Sequence, residues 1–458
     1  MILLSTFFLS AIAINAQKQW TLQECIQYAL DNNLNIKQQS LTIERDKNQL
    51  EQSKWAMAPS VGFNADYSFG WGRSLNQQDF TITKNKLTQI GSTSIGAGID
   101  LFKGLQKVNT IKSNQAQLEI SGQEVEQLKN DISIEIARTY LNVLLYQEVL
   151  ETAKLSRQSV TEQVNRTQKL VDAGTLAHSS LLEMQAQLAT EQVQVVNAEN
   201  QVRTFSLSLI QLLDLSNESD FSVVVPQIQV DTVGYMGASV EQLYQASQIL
   251  PKIQIGEYTL EQRERQLAVA KGQRFPSISL STGVRSSYNP DTKVAKNGDT
   301  IIDLDNPLDM PPIELRSSSL FEQLNSNKNP YIALSFSIPI LSGRTIATNI
   351  RNARLGVQQA QIDMRNRQQL LYKEIQQANN DAISAFERYK ATLHNVTSME
   401  ESFRYVQQKL DVGMLNGTDF TVAKTNLFRA QSDNLQAKYQ YVFQLKILDF
   451  YKGIPISL

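Results

Sequence analysis

Residues 344–364 read RTIATNIRNARLGVQQAQIDM, and the spacing of their apolar side chains decides the fold of the chain. The apolar positions follow one another at alternating intervals of four and three residues, and they are Ile346, Ile350, Ala353, Val357, Ala360 and Met364. Such intervals are typical of α-helices that pack along a narrow seam, as in coiled coils. The remaining positions are mostly polar, so the pattern predicts a helix with one packed side and one side in water.

The predicted helix is very long, and the chain contains two of this kind. The first runs over Leu105–Ala173 and the second over Arg344–Val412, so the two are equal in length. Neither segment contains proline, and each contains a single glycine. At ~1.5 Å per residue such a helix reaches about 100 Å, whereas the average helix of a globular protein has ~11 residues.

Shorter helices accompany the two long ones. They are predicted over residues 20–58, 175–213, 239–275 and 418–452. Each is about half as long as a long helix, so two of them stacked end to end match one long helix. The lengths therefore predict a cylinder wall in which long helices alternate with stacked pairs.

The chain carries the same plan twice. Three motifs recur: Pro59-Ser60-Val61 as Pro276-Ser277-Ile278, Ile99–Gly104 as Ile338–Gly343, and Asp172-Ala173-Gly174 as Asp411-Val412-Gly413. The second and third recur at one common interval, which is longer than the interval of the first. The difference places an insertion in the second copy, within the Pro-, Asn- and Asp-rich residues 289–330, which predict a long loop. We therefore expect a duplicated half-protein.

Two pairs of β-strands are predicted by a strict alternation of apolar and polar residues. Residues 61–71 read VGFNADYSFGW, and residues 94–101, 277–285 and 332–340 follow the same rule. This period of two places one face of a strand in an apolar medium and the other near water. An ordinary antiparallel sheet that covers a core with one face fits the pattern as well.

Strands in lipid would impose a further condition. An open sheet edge is not tolerated there, and about eight strands are the practical minimum for closing a barrel. Four strands per chain would therefore require several subunits to share one barrel, and three subunits would supply twelve strands.

Composition disfavours several classes of function. The chain has 43 basic and 45 acidic residues, so it shows no excess of positive charge for nucleic acid. Cys25 is the single cysteine, and His178 and His394 are the only histidines, which is too few for a His/Cys metal cluster. No phosphate loop or nucleophile elbow is present. We therefore expect that the chain is not an enzyme and has no catalytic residue, metal or cofactor. Cys25 is expected to be a packing residue, and His178 is expected to be a solvated side chain.

The N-terminus predicts an export signal. Residues 2–14 are almost wholly apolar, and Asn15-Ala16-Gln17 follows. This run is too short to cross a bilayer, which needs ~20 residues. An apolar run before a small residue is typical of a cleavable signal peptide, here residues 1–16.

Several motifs together resemble the TolC family of outer-membrane efflux proteins. Residues 20–33, WTLQECIQYALDNN, are similar to the family's opening helix, although Leu34 stands where the family has proline. Leu101–Gly104 and Pro339–Gly343 resemble its strand-to-helix junctions. The spacings Gly174-x4-Ser179 and Gly413-x4-Thr418 resemble the turns at the tip of its tunnel.

The resemblance implies an architecture and a set of partners. Members of this family are homotrimers, with a 12-stranded β-barrel in the outer membrane of a Gram-negative bacterium and a coiled-coil α-helical tunnel in the periplasm. They contact outer-membrane lipid, a periplasmic adaptor protein and an inner-membrane pump. The pump supplies the energy, and the channel is a passive duct for drugs, metal ions or proteins.

Candidate site residues follow from the same resemblance. The exposed tips that meet the adaptor would consist of Gly174, Thr175, Leu176, Ser179, Gly413, Met414, Leu415 and Thr418. Asp419 would form a ring of three carboxylates at the pore constriction, which attracts cations. The alternative for Asp419 is an ordinary acidic residue that stabilises a helix N-terminus. Val422 stands where the family often has a second aspartate.

The expected division of the chain follows the repeat. It comprises a signal peptide (1–16), a periplasmic helix (17–59), a first strand pair (60–103), a first helical hairpin (104–213), an equatorial element (214–238), a second periplasmic helix (239–275), a second strand pair with a long external loop (276–342), and a second helical hairpin with the C-terminus (343–458).

Two other functions remain open at this stage. A stand-alone porin would share the barrel but has no use for helices of about 100 Å. A secreted coiled-coil scaffold without a pore would share the helices but does not account for the alternating strands. The exit duct of a tripartite efflux or type I secretion system accounts for both.

Overall fold

The computed structural model describes residues 19–75, 82–215, 221–226, 239–296, 315–412 and 414–457 of the 458-residue chain. The predicted signal peptide and Gly413 lie outside these ranges, and so does most of the predicted equatorial element. The contacts divide the chain into two compact units. The first comprises Met1–Glu44, Glu119–Tyr258 and Gln361–Leu458, and the second comprises Arg45–Leu118 and Thr259–Ala360.

Helices make up most of the described chain. They are α1 Leu22–Asn32, α2 Leu34–Trp55, α3 Gln106–Asp172, α4 His178–Leu212, α5 Val240–Ala246, α6 Pro251–Gly272, α7 Leu320–Ser326, α8 Thr345–Asp411 and α9 Gly417–Tyr451. Helices α3 and α8 have 67 residues each, which confirms the two predicted long helices to within one residue at either end. None of the described helices combines the length and the hydropathy that a transmembrane helix needs.

Two of the predicted half-length helices are interrupted. The predicted helix 20–58 is divided at Asn33, whose side-chain Oδ1 accepts a hydrogen bond from the backbone N–H of Asn35 at 2.9 Å and so begins α2. The predicted helix 239–275 is divided before Pro251, which opens α6. Proline suits the first helical position because the N–H that it lacks would have no partner there. Leu34 and Pro251 occupy equivalent positions of the repeat, so both copies break at the same place by different means.

The strands form one main sheet in the second unit. The strands of the described residues are β1 Gln19–Trp20, β2 Ser60–Leu75, β3 Ile82–Lys103, β4 Ser222–Val223, β5 Ser277–Tyr288, β6 Lys293–Ala295, β7 Leu315–Ser317 and β8 Asn329–Ser337. The main sheet is antiparallel with the order β2-β3-β5-β8, so β2 and β8 are its edges. The two predicted strand pairs are therefore joined through β3 and β5.

The apolar face of this sheet is exposed. Its residues stand opposite one another in register, as in Phe63 with Ile95 and Leu280 with Leu334. Val61 is 72% exposed, and Ile332 is 79% exposed. The alternative of a sheet that covers a core with its apolar face is therefore wrong for these strands.

The insertion in the second copy contains regular structure. We predicted a long loop over residues 289–330, but its described residues include β6, β7 and the short helix α7. Helix α7 begins at a capping box, in which Ser319 and Glu322 satisfy each other's backbone N–H groups. This reciprocal pair is a strong local signal for a helix start, and the prediction overlooked it.

The first unit has a core that ties its N-terminal segment to the long helix α3. Cys25 is fully buried there, which confirms that it is a packing residue. Strands β1 and β4 pair in parallel. Because β4 belongs to the predicted equatorial element, the described part of that element packs against the N-terminal segment that contains β1. The hydroxyl of Tyr140, on α3, lies 2.7 Å from the Val224 carbonyl oxygen and 3.1 Å from that of Trp20. Burial raises the pKa of Tyr140, so it remains a neutral donor.

The junction between strand and long helix has the same backbone conformation in both copies. Gly104 and Leu105 have φ of 56° and 57°, and Gly343 and Arg344 have φ of 54° and 67°. Two consecutive residues in the left-handed region turn the chain sharply, and glycine enters that region without steric cost. The surroundings differ, because a Cβ on Gly104 would collide with the backbone oxygen of Gly272, whereas a Cβ on Gly343 would meet nothing within 4 Å.

We predict that Gly104→Ala destabilises the protein more than Gly343→Ala does. The Gly343 variant should lose about 1–2 kcal/mol, the cost of placing an L-residue in the left-handed region. The Gly104 variant carries the same strain and in addition a collision with backbone, which cannot rotate away. Thermal unfolding of the two purified variants tests this, and equal losses would contradict it.

Candidate functional site

The first tip is the turn between α3 and α4. Gly174 has φ of 75°, as expected for the residue that reverses the chain. The backbone N–H of Thr175 donates to the carbonyl oxygen of Leu170 at 2.9 Å, and the Thr175 hydroxyl donates to the same oxygen at 2.8 Å. These bonds satisfy a carbonyl that the end of the helix would leave without a partner.

The second tip repeats this geometry between α8 and α9. The backbone N–H of Met414 donates to the carbonyl oxygen of Lys409 at 2.9 Å, which is the equivalent in the second copy of the bond from Thr175 to Leu170. Gly413, the predicted reversal residue, lies outside the described residues. The start of α9 is capped, since the Asn416 side chain accepts the N–H of Asp419 at 2.9 Å. At the first tip the corresponding residue is Ala177, which provides no side-chain cap.

The predicted tip residues are mostly open to solvent. Those that the structure describes as exposed are Gly174, Thr175, Leu176, Ser179, Met414 and Thr418, while Leu415 is half-buried. Met414 is 75% exposed, although it is a large apolar side chain. His178 is exposed at the first position of α4. The tips thus offer a surface with both apolar side chains and hydroxyl groups. The role of these residues in docking an adaptor stays a prediction.

Asp419 lies in the first turn of α9 with an exposed side chain. This position agrees with the helix-terminus interpretation, because a carboxylate there interacts favourably with the partial positive charge of the N–H groups. It also agrees with a pore residue, since the carboxylate is turned to water. The pore-constriction role therefore stays a prediction.

An ion pair joins the two long helices close to their ends. Arg166 Nη1, on α3, lies 2.7 Å from Asp411 Oδ1, on α8, and Gln407 also donates to this oxygen at 3.1 Å. The sequence singled out Asp411 only as part of a repeated motif. It could not identify Arg166, because the two residues are 245 positions apart and the equivalent position in the other copy is Tyr405.

A small core lies behind the tips. Val160, Met184 and Phe420 are buried together, from α3, α4 and α9 respectively. Gly417, the first residue of α9, is buried against α4, and a Cβ there would lie 2.8 Å from the Met184 Cε atom. The returning helices are thus held together directly behind the two turns.

Two ionisable side chains are buried near this core. Lys424, on α9, is 8% exposed, and Glu191, on α4, is 2% exposed. Gln187 donates to Glu191 Oε1 at 2.7 Å, and the Lys424 amine lies 4.9 Å from the centre of the Phe403 ring. Burial lowers the pKa of Lys424, and the charge of Glu191 opposes this shift. No local pattern in the sequence points to this pair, since both residues occur in ordinary polar stretches of helix.

The described residues contain no group of three or more His, Cys, Asp or Glu side chains that could hold a metal ion.

We predict that the buried lysine makes stability depend on pH. Because its pKa is lower in the folded chain, the unfolded chain holds the proton more tightly. The free energy of unfolding should therefore rise as the pH climbs through the folded-state pKa towards the unfolded value of about 10.4. Thermal unfolding between about pH 7 and about pH 10 should show a smaller rise in Lys424→Met than in the wild type.

Lys390→Met is the matched control, because Lys390 is an exposed lysine on the neighbouring helix α8. It should keep the pH dependence of the wild type. A Lys424→Met protein with the full wild-type rise would show that the buried amine is not its source.

Known proteins share the fold and the sequence pattern of this chain. The family model described as outer membrane efflux protein matches residues 25–214 and again residues 243–453. The double match confirms the predicted duplication and the mainly helical fold with four main strands. It also confirms the resemblance to the TolC family.

Individual relatives are distant but cover most of the chain. The outer membrane protein TolC of Escherichia coli K12 is 19% identical over 433 residues, which are 93% of this chain and 81% of that protein. The alkaline protease secretion protein AprF of Pseudomonas aeruginosa is 16% identical over 402 residues, 85% of this chain and 76% of that protein. The crystal structure of the outer membrane protein VceC of Vibrio cholerae superposes with a TM-score of 0.72 at 15% identity, covering 95% of this chain and 96% of that chain.

These matches agree with the long helices and the four-stranded sheet of the structure. The family consists of channels without enzymatic activity, and membership implies a trimeric channel that works with an efflux system. The chain therefore belongs to the outer membrane efflux protein family, and it is an efflux channel protein of the outer membrane of a Gram-negative bacterium.

Proposed function

We propose that three copies of this chain form one exit duct, in which the four-stranded sheets combine into a 12-stranded barrel across the outer membrane. The observation that carries the proposal is a sheet with an exposed apolar face and two edge strands, β2 and β8. Among the described strands, each of these two is paired on one side only. Backbone N–H and C=O groups have no water to bind in lipid, so every strand edge there must find another strand. Pairing β8 of one copy with β2 of the next satisfies this requirement around a threefold axis.

The opposite face of the sheet suits a water-filled lumen. It carries small and polar residues, including Asn64, Asp66 and Ser281. Tyr331 lies on this face above Gly96 and Gly283, and the guanidinium of Arg285 is 4.5 Å from the centre of its ring. A polar inner face and an apolar outer face are what a membrane channel of strands requires.

The helices supply the periplasmic part of the duct in this proposal. A helix of 67 residues is about 100 Å long at ~1.5 Å per residue, far more than a barrel alone needs. This length favours a duct that crosses the periplasm over a stand-alone porin. The exposed tip residues would then contact a periplasmic adaptor, and an inner-membrane pump would supply the energy for efflux or type I secretion.

The shared barrel can be tested by cross-linking across the edges. We expect a variant with cysteines at Asn64 on β2 and Ser335 on β8 to form covalent trimers with a flexible bis-maleimide reagent, as seen on denaturing gels. Both positions are exposed and lie on the polar face. The native Cys25 is buried and should not react.

Each cysteine alone is the control and should leave the chain monomeric on the gel. A double variant that inserts into membranes but gives only monomers or dimers would contradict the closed ring.

The pore role of Asp419 can be tested by conductance. In planar bilayers Asp419→Asn should lower the preference of the channel for cations several-fold, because a ring of three carboxylates attracts cations. Asp31→Asn, which removes an exposed aspartate from α1, should leave selectivity unchanged. The helix-terminus interpretation predicts instead a loss of about 0.3–1 kcal/mol of stability with unchanged selectivity.

A further inference from the structure

Helix α7 is held firmly on the apolar face of the main sheet. Its Gln323, which is buried, donates to the carbonyl oxygen of Asn289 at 2.9 Å and accepts the backbone N–H of the same residue at 2.9 Å. The hydroxyl of Ser286, whose side chain is on the apolar face of β5, donates to the carbonyl oxygen of Leu324 at 2.9 Å. Asn327 adds a bond of 2.8 Å to the carbonyl oxygen of Ser287. These hydrogen bonds therefore fix helix α7 against the sheet.

This fixed helix nevertheless leaves apolar side chains uncovered. Phe321 is 81% exposed and Leu320 is 44% exposed, on a helix of only seven residues. Arg316 forms an ion pair with Glu322, the residue that follows Phe321 in the helix. Together with the exposed apolar face of the sheet, these side chains form a contiguous apolar patch, and such a patch is typical of a surface that contacts a partner or a membrane.

A cleft of about 250 Å³ lies between α7 and the sheet. Its lining includes Leu320 and Leu324 of the helix and Ala65, Tyr67, Gly91 and Tyr288 of the strands. Gly91 forms its floor, because a Cβ there would lie 3.2 Å from the ring of Tyr67 and 3.5 Å from Tyr288. The Tyr67 hydroxyl is already bonded to Gln89 at 2.7 Å, so the Tyr67 ring presents its apolar body to the cleft.

A row of aromatic side chains on β2 and β5 continues this cleft along the sheet. The rings of Tyr67 and Phe69 are 5.2 Å apart, and those of Tyr67 and Tyr288 are 6.5 Å apart. Trp71 follows on the same face and is 79% exposed. The cleft is therefore continuous with the exposed apolar face that the proposed function places against the membrane.

We propose that this cleft binds one acyl chain of an outer-membrane lipid. This inference rests on the proposed membrane location of the sheet. An apolar cavity of about 150 Å³ is already large enough to bind benzene and stays free of water, so a cleft of about 250 Å³ has room for a hydrocarbon segment. An empty cleft of this kind would lose the dispersion contacts that an acyl chain supplies to its walls. Phe321 follows Leu320, which lines the cleft, and its exposed ring is available for contact with the surrounding lipid.

The test uses the full-length protein in liposomes that contain a phospholipid with a photoreactive diazirine in the middle of one acyl chain. After illumination, labelled peptides are mapped by mass spectrometry. We expect residues 320–324 and 65–67 to be labelled several-fold more strongly than residues 332–336, which belong to the same apolar face outside the cleft. Ala65→Leu fills the cleft and should lower the labelling of 320–324 several-fold.

Ala97→Leu is the matched control, since Ala97 lies on the same face of the sheet and does not line the cleft. It should leave the labelling of residues 320–324 as in the wild type. Thr93→Leu fills the cleft from β3 and provides a second variant should Ala65→Leu fail to assemble. Labelling of α7 equal to that of residues 332–336, or unaffected by filling, would overturn the proposed cleft. Absence of label from residues 332–336 as well would instead contradict the membrane location of the sheet.

Discussion

An unpaired strand edge in lipid is the constraint on which the interpretation of the main sheet depends. The sheet order β2-β3-β5-β8 leaves one edge strand from each copy of the repeat, and its apolar face is exposed along the whole of β8. An exposed apolar face does not suit a chain in water, and open strand edges do not suit a single chain in lipid. Both conditions are met when identical copies lie in lipid with their edges joined around a symmetry axis, because lipid then contacts the apolar face and the N–H and C=O groups of the edges find partners. The sheet thus requires an oligomer, and the family to which the chain belongs forms trimers.

The duplication shows which features the architecture needs and which are free to vary. The left-handed pair at the strand-to-helix junction occurs in both copies, and so does the bond that closes each tip. The means differ elsewhere. Asn33 restarts a helix in one copy, whereas Pro251 does so in the other, and close packing against Gly272 fixes Gly104 but not Gly343. Geometry is therefore shared between the copies, while the local chemistry that produces it is not.

The sequence predicted well those features that depend on neighbours along the chain. The long helices follow from heptad spacing and the lack of proline, and the strands follow from alternation over about ten residues. The spacing Gly174-x4-Ser179 placed Gly174 at a tip turn, and its φ of 75° agrees, because glycine enters the left-handed region without steric cost. The contacts between distant segments could not be found in this way. The ion pair between Arg166 and Asp411 joins residues that are far apart along the chain. The same is true of the buried Lys424 and Glu191, whose charges interact. No local pattern in the sequence predicts either pair.

Helix α7 shows a different kind of limit. Its capping box is visible in the sequence, but the segment is rich in turn-forming residues, and a helix of seven residues has too few periodic positions to stand out. Its stability comes from Gln323 and Ser286, which bind backbone groups across the insertion and the sheet. A polar side chain that is buried and fully bonded in this way orders the segment more strongly than its intrinsic helix propensity does.

The two tips of one chain are unequal in charge, and this bears on how a pore could be selective. The second tip has Asn416 as a side-chain cap and Asp419 in the first helical turn, whereas the equivalent positions of the first tip are Ala177 and Ser180. Val422 adds no further carboxylate one turn later. In a trimer the negative charge contributed by these positions would therefore be limited to one carboxylate per subunit. Three charges around an axis act on ions strongly only where the opening is narrow, since water and salt screen them beyond about 8 Å. Any cation preference at this end must then depend on how closely the three second tips approach one another.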